Sequence, residues 1–424
     1  MSGGVTAARR PASTRGEPRA MMTSEFIRRP IISKRVDAIP ASGIRRFFDI
    51  IATMDDVISL GVGEPDFVTP EQIREAAIRS IKQGHTHYTS NFGMIQLREA
   101  IARDLERRYG VSYDPATELM CVAGVSEALG VTFQAILDPG DEVLSPDPFY
   151  VAYPPNVIMA GGDFIAVPTY ERNEFRLMVE DLEQFVTPKT RALLMGFPAN
   201  PTGAVMSRSD LEEVAEFVHR HDLLVVIDEI YARLTYRGRH VCFASLPGMK
   251  ERTILLGGFS KTYAMTGWRL GYVAAPPEAL EAMMKVHQYV MMSAPTVAQY
   301  AALEALRSGE EDVQLMLAEY DRRRRLVVDR FNGMGLHCFE PRGAFYAFPD
   351  ISSTGLDDES FAERLLFEER VAVVPGSAFG ACGRGHVRAC YATSYEKLVE
   401  ALDRTERFVA RCRDENAGVR GGQR

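Results

Sequence analysis

Apolar positions recur at helical spacing in several stretches of this chain. Thr69-Pro70 followed by EQIREAAIRSIKQG predicts a helix with proline near its start and glycine past its end. QLREAIARDLERRYG predicts a second helix stopping at Gly110, and SRSDLEEVAEFVHRHD a third. Between such stretches lie short apolar runs: ALLMGFP at 192–198, LLVVIDEIY at 223–231 and TILLGGFSK at 253–261. The last two are rich in Val, Ile and Leu without strict alternation. That is how strands buried on both faces read, hence a parallel sheet covered by helices. Alternating helices and buried strands predict an α/β architecture. Later the pattern changes. A long charged helix, EEDVQLMLAEYDRRRRLVVDRFNGMG, precedes GAFYAFPDI, VAVVPGSAFG and HVRACYAT, which read as strands of a smaller α+β part. The Arg322–Arg325 run has acids on either side and reads as a solvated helix face.

The chain's 424 residues exceed one ordinary hydrophobic core, so two domains are expected. Apolar residues (46%) and charged residues (25%) stand in ordinary globular proportion. A net charge of −8 argues against nucleic acid as the main partner. No apolar run reaches the ~18 residues of a membrane span. The six cysteines form no C-x-x-C pair, which fits small buried residues in a reducing, cytoplasmic setting. The pairs His85/His87 and His219/His221 lack acidic or cysteine partners at ligand spacing, so no metal site is expected. Residues 1–28, rich in Arg, Ser, Thr, Gly and Pro, read as a disordered tail. A transit peptide is the alternative, with Met21 or Met22 as another possible start. Residues 414–424 are polar and Gly-rich and are expected to fray.

The apolar runs end in polar residues and turn formers. In open α/β sheets ligands sit beyond the carboxyl ends of the strands. Asn200, Asp228 and Lys261 are therefore expected to converge on one site despite their separation in sequence. Lys261 follows a buried run, and crowded lysines lose proton affinity and form Schiff bases. Eight residues on, Arg269 is a fixed cation suited to a phosphate. The Gly124-Val125-Ser126 turn opens a helix, whose free N–H groups also suit an anion.

GVGEPDF (61–67), YTSNFGMIQLREAI (88–101), GVSEAL (124–129), PDPFYVAY (146–153), NPTG (200–203), DEIY (228–231), SKTYAMTGWRLGY (260–272) and HVR (386–388) follow one another in this order. With these motifs the sequence resembles a class I/II aminotransferase of pyridoxal-phosphate (PLP) fold type I, from about residue 30 to 412. The resemblance implies a mostly parallel seven-stranded sheet in a large PLP-binding domain (67–307). It also implies a smaller α+β domain built from 29–66 and 308–413. The implied activity moves the α-amino group of an amino acid to a 2-oxo acid, 2-oxoglutarate serving as one partner, through a Schiff base on Lys261. By the same resemblance Asp228 keeps the pyridine nitrogen protonated, and Asn200 and Tyr231 hydrogen-bond the phenolic oxygen. Tyr150, or the adjacent Phe149, stacks on the ring. Val125, Ser126, Ser260 and Arg269 hold the phosphate, and Tyr88 reaches it from the neighbouring subunit of a homodimer. Arg388 clamps the substrate carboxylate, with Gly63, Tyr150 and Asn200 beside it. One departure stands out. Where many relatives carry a hydroxyl residue three places before the lysine, this chain has Gly258, which shifts the phosphate load toward Arg269.

A carbon–sulfur lyase or aminocyclopropane-carboxylate synthase of the same fold shares these residues. A PLP-sensing transcription factor would need a DNA-binding module before residue 30. A nucleotide-binding enzyme would need G-x-x-x-x-G-K-[ST] or G-x-G-x-x-G, and neither occurs. The donor is aspartate, alanine, an aromatic amino acid or N-acetyl-diaminopimelate by resemblance. Arg342, Lys285, His287 and Gln288 are the candidates for reading a side-chain carboxylate.

Overall fold

The computed structural model describes residues 31–39 and 53–421, with side chains described to residue 415. The tail expected at 1–28, with Met21 and Met22, lies outside the described residues. Strand β1 (Ile58–Ser59) comes first. Seven strands then form one sheet: β2 (Leu119–Val122), β3 (Glu142–Asp147), β4 (Asp163–Pro168), β5 (Thr190–Gly196), β6 (Leu224–Asp228), β7 (Thr253–Gly258) and β8 (Gly271–Ala274). Their spatial order is β2-β8-β7-β6-β5-β3-β4. β8 runs antiparallel to both neighbours, and the other pairings are parallel. β9 (Tyr346–Ala347), β10 (Val371–Ala372), β11 (Val374–Pro375) and β12 (Val387–Cys390) follow. β1 pairs with β10, and β11-β12-β9 make a small antiparallel sheet.

The unbroken apolar runs have a direct cause. Val225 and Ile227 of β6 pack on one face with Leu193, Met195 and Leu255. Val226 packs on the other with Leu194, Ile254 and Leu256. Each such buried side chain contributes roughly 1.5–3 kcal/mol. Helices cover both faces. Glu71–Lys82 follows Pro70, and Ile95–Tyr109 stops where Gly110 turns left-handed. Arg208–Arg220 opens on a capping box between Ser207 and Asp210.

Two expectations need correction. The arginine run on the helix Glu310–Gly333 is not wholly solvated. Arg323 and Arg324 are buried, Arg323 bonded to Asp66 and Glu319, Arg324 to Asp321 and Glu340. Arg323 thereby ties this helix to the segment carrying Gly63. The polar C-terminal stretch is not a loose tail from 414 either, because the last helix runs Tyr395–Gly421. Phe408, Val409 and Cys412 continue its buried face, and Glu415 pairs with Arg364. Of the histidine pairs, His85 stacks on Tyr300 and His221 meets Glu183. Among the described residues no helix is long and apolar enough to cross a membrane.

Candidate active site

The sheet order decides where the chemistry gathers. Along one edge stand, in turn, the Gly124 turn after β2, Arg269 before the antiparallel β8 and Lys261 after β7. Asp228 at the end of β6, Asn200 after β5 and Tyr150 after β3 complete the row. Neighbouring strands lie about 4.8 Å apart, so residues as distant in sequence as Gly124 and Arg269 become near neighbours. Together they line a cavity of about 350 Å³.

Lys261 Nζ donates to the carbonyl of Gly63 at 2.6 Å. Burial, which disfavours the ammonium, pulls this lysine down to about 8. At Gly63 a side chain is barred, because a Cβ would overlap the Tyr346 hydroxyl. Asp228 is buried and its donors are both neutral: Ile230 N–H at 3.1 Å and the Tyr153 hydroxyl at 3.2 Å. Burial pushes its carboxyl up to about 6. A buried carboxylate with neutral donors alone is costly, and a cationic ligand group facing it would relieve that cost.

Val125 opens the helix Val125–Ile136 and lines the cavity with Ser126. The N-cap Gly124 has φ 83, and a Cβ there would stand 2.8 Å from Arg269 Nη2. Glycine therefore lets the guanidinium lie against the helix start. Arg269 itself donates to the carbonyls of Thr266 (2.9 Å) and Ala123 (3.4 Å). A cation beside free helix N–H groups is a cradle for a phosphate-sized anion. Ser260 lines the same cavity. Gly258 does not, and a Cβ there would press on Ile230 and Gly271, so a larger residue at that position would need its neighbours to shift.

A second cation serves another part of the cavity. Arg388, buried, donates to Asn200 Oδ1 at 2.8 Å and to the Gly61 carbonyl at 2.6 Å. Its guanidinium lies 4.6 Å from the Tyr346 ring and 4.8 Å from that of Phe379. Among the described residues Arg388 Nε is buried with no hydrogen-bond partner. Tyr231 and Tyr346 share a hydroxyl–hydroxyl bond of 2.7 Å. Tyr150 lines the cavity edge-on to Tyr153, whereas Phe149 packs on Phe164.

The structure does not bring Tyr88 to the cavity of its own chain, where it is 81% exposed. Nor do the side-chain readers considered above line it. Arg342 pairs with Glu174, His287 is buried against Glu127, and Lys285 and Gln288 lie elsewhere on the helix Pro277–Val290.

The sequence model of class I and II aminotransferases matches residues 55–404. This chain belongs to that family. The aminotransferase is 52% identical over 381 residues to the aspartate aminotransferase of Pyrococcus abyssi, covering 89% of this chain and 98% of the relative. It is 48% identical, with the same coverage, to the aromatic-amino-acid aminotransferase 2 of Thermococcus litoralis. The crystal structure of the aromatic aminotransferase from Pyrococcus horikoshii OT3 superposes with a TM-score of 0.83 at 51% identity. That match spans 87% of this chain and 99% of the other. Among the cavity residues of the aminotransferase that escaped the sequence reading are Tyr153 and Tyr346. Tyr153 sits inside PDPFYVAY, three places after Tyr150. Tyr346 is a lone tyrosine in the apolar run GAFYAFPDI.

Proposed function

We propose that this aminotransferase works with PLP held on Lys261, exchanging amino groups between an amino acid and a 2-oxo acid. The observation that carries the reading is a half-empty set of partners. Among the described residues Asp228 has only neutral donors, Arg388 Nε has no partner, and Arg269 flanks the start of the helix Val125–Ile136. A ring cation, a carboxylate and a phosphate fit these three positions. PLP bound there supplies an electron sink for charge developing at the substrate Cα.

The residues divide the remaining work. Val125, Ser126, Ser260 and Arg269 hold the phosphate. Asn200 and Tyr231 donate to the phenolic oxygen, Tyr150 covers one ring face, and Asp228 keeps the ring nitrogen protonated. Arg388 grips the α-carboxylate beside Gly63 and fixes the orientation of Cα. Lys261 Nζ, whose burial lowers its proton affinity to about 8 and so brings the neutral amine within reach, takes the Cα proton. The visible absorbance of the purified protein tests this. The band is expected to bleach with an amino acid and return with 2-oxoglutarate or another 2-oxo acid. Bleaching with product release and no such return would assign a lyase or synthase instead.

Two single substitutions probe the assignments. Arg388→Lys removes the planar two-pronged grip and is expected to raise KM for the amino acid about 10- to 100-fold, with a smaller change in kcat. An unchanged KM would remove Arg388 from the carboxylate site. Tyr153→Phe deletes a donor to the buried Asp228 and is expected to lower kcat by up to about tenfold. Steady-state rates equal to the parent would show that this bond has no role in turnover.

The substrate side chain meets a cavity whose described cations are Lys261, Arg269 and Arg388, all with roles already assigned. Val151, Ile230 and Tyr346 form apolar wall. This favours donors with aromatic or apolar side chains over dicarboxylic ones. Phenylalanine or tyrosine is expected to exceed aspartate in kcat/KM by about tenfold or more, and the reverse order would refute the assignment. We also place the enzyme in a cytoplasmic homodimer. Exposed Tyr88, Tyr289, Val290, Met291 and Met292 offer apolar surface for a second copy, and six unpaired cysteines suit a reducing compartment. Tyr88 of one protomer then reaches the phosphate of its partner.

A further inference from the structure

Glu127 stands in the first turn of the helix Val125–Ile136, the end assigned to the anion. A free carboxylate there would oppose a phosphate. It is instead spent elsewhere. One oxygen, Oε2, accepts the backbone N–H of Ala123 at 2.5 Å, and the other, Oε1, meets Nδ1 of His287 at 2.6 Å. Glu127 does not line the cavity. His287 is fully buried on the packed helix Pro277–Val290. Because an ionised carboxylate only accepts, Nδ1–H is the donor. The next peptide unit is bound as well, the Ala123 carbonyl accepting from Arg269 Nη2. The turn that presents the helix start is thus clamped between a carboxylate and a guanidinium.

We infer that His287 and Glu127 form a positioning pair that sets the phosphate cradle, His287 acting through Glu127 on the Ala123–Gly124 turn and on Arg269. Neither touches the cofactor. The pair holds the cradle's N–H groups in place and directs the glutamate charge away from the anion. A histidine weighed in the sequence as a reader of substrate carboxylate thus belongs to the phosphate end. The inference rests on the PLP reading above, and the two fail separately.

The test measures equilibrium affinities of the full-length apoprotein for PLP and for pyridoxal, which lacks the phosphate. His287→Ala is expected to weaken PLP about tenfold, the worth of one hydrogen bond to a charged group, while pyridoxal binding stays level. His287→Asn keeps an N–H donor at the same number of bonds from the backbone and is expected to restore PLP affinity. Glu127→Gln has one acceptor oxygen for two donors and is expected to show the same phosphate-selective loss, which also serves if His287→Ala does not fold. Equal weakening of both ligands, or of neither, overturns the pair's role at the phosphate. Absence of PLP binding in the parent protein overturns the proposed function itself.

Discussion

Lys261→Ala is expected to abolish transamination, lowering kcat by ~10⁴-fold or more, while PLP still binds. General acid–base help alone accounts for about 10²–10⁴-fold, and the nucleophile that holds and releases the cofactor is lost as well. The phosphate cradle, Asp228 and Tyr150 remain, so binding survives without a covalent bond. Borohydride trapping followed by mass spectrometry should find no adduct, and turnover at the parental rate would end the assignment. The same lysine carries a pH expectation. Burial lowers it to about 8, so its neutral amine predominates above that pH rather than above the ordinary lysine value. Capture of PLP by the apoprotein should therefore accelerate as pH rises through about 8 and level off beyond. A rate still climbing steadily through pH 10 would contradict a desolvated Lys261.

Asp228→Asn is expected to cost about 10²–10³-fold in the rate of Cα deprotonation and to weaken PLP binding. Truncating one partner of a buried charge pair costs about 3–5 kcal/mol. The side chain's size stays, the amide oxygen can still accept the Ile230 N–H, and the Tyr153 hydroxyl can turn to accept from the new amide, so the substitution changes charge far more than shape. Single-turnover kinetics with an α-deuterated amino acid would read the step directly. An unchanged rate with native PLP would show that Asp228 does not sustain the ring cation.

Much of this site could be read from the sequence because strand ends announce themselves. A buried run must stop at polar residues; Asp228 is the first after its run, and Ser260 and Lys261 are the first two after theirs. Tyr153 and Tyr346 could not be read that way, since a tyrosine in an apolar run looks the same whether it packs or donates. Seeing Tyr150 rather than Phe149 line the cavity needed the backbone, which alone says which ring faces it. Arg323 and Arg324 misled for another reason. Their burial depends on Asp66 and Glu340, and pairing at that range leaves no periodic trace. The helix past 414 was hidden similarly, because its polar composition says nothing of the contact between Glu415 and Arg364.

The row of groups along the sheet edge is drawn from segments between Gly61 and Arg388. None of them can hold a ligand well unless the strands between are in register. A molecule gripped by all of them binds the native chain and not the unfolded one, so it acts as a tether across the whole sequence. By mass action it stabilises the fold by about 2.7 kcal/mol at a hundred times its dissociation constant. With such a ligand bound, the chain's resistance to heat would be set partly by the ligand's supply, and where that ran short the protein would be more readily lost to unfolding.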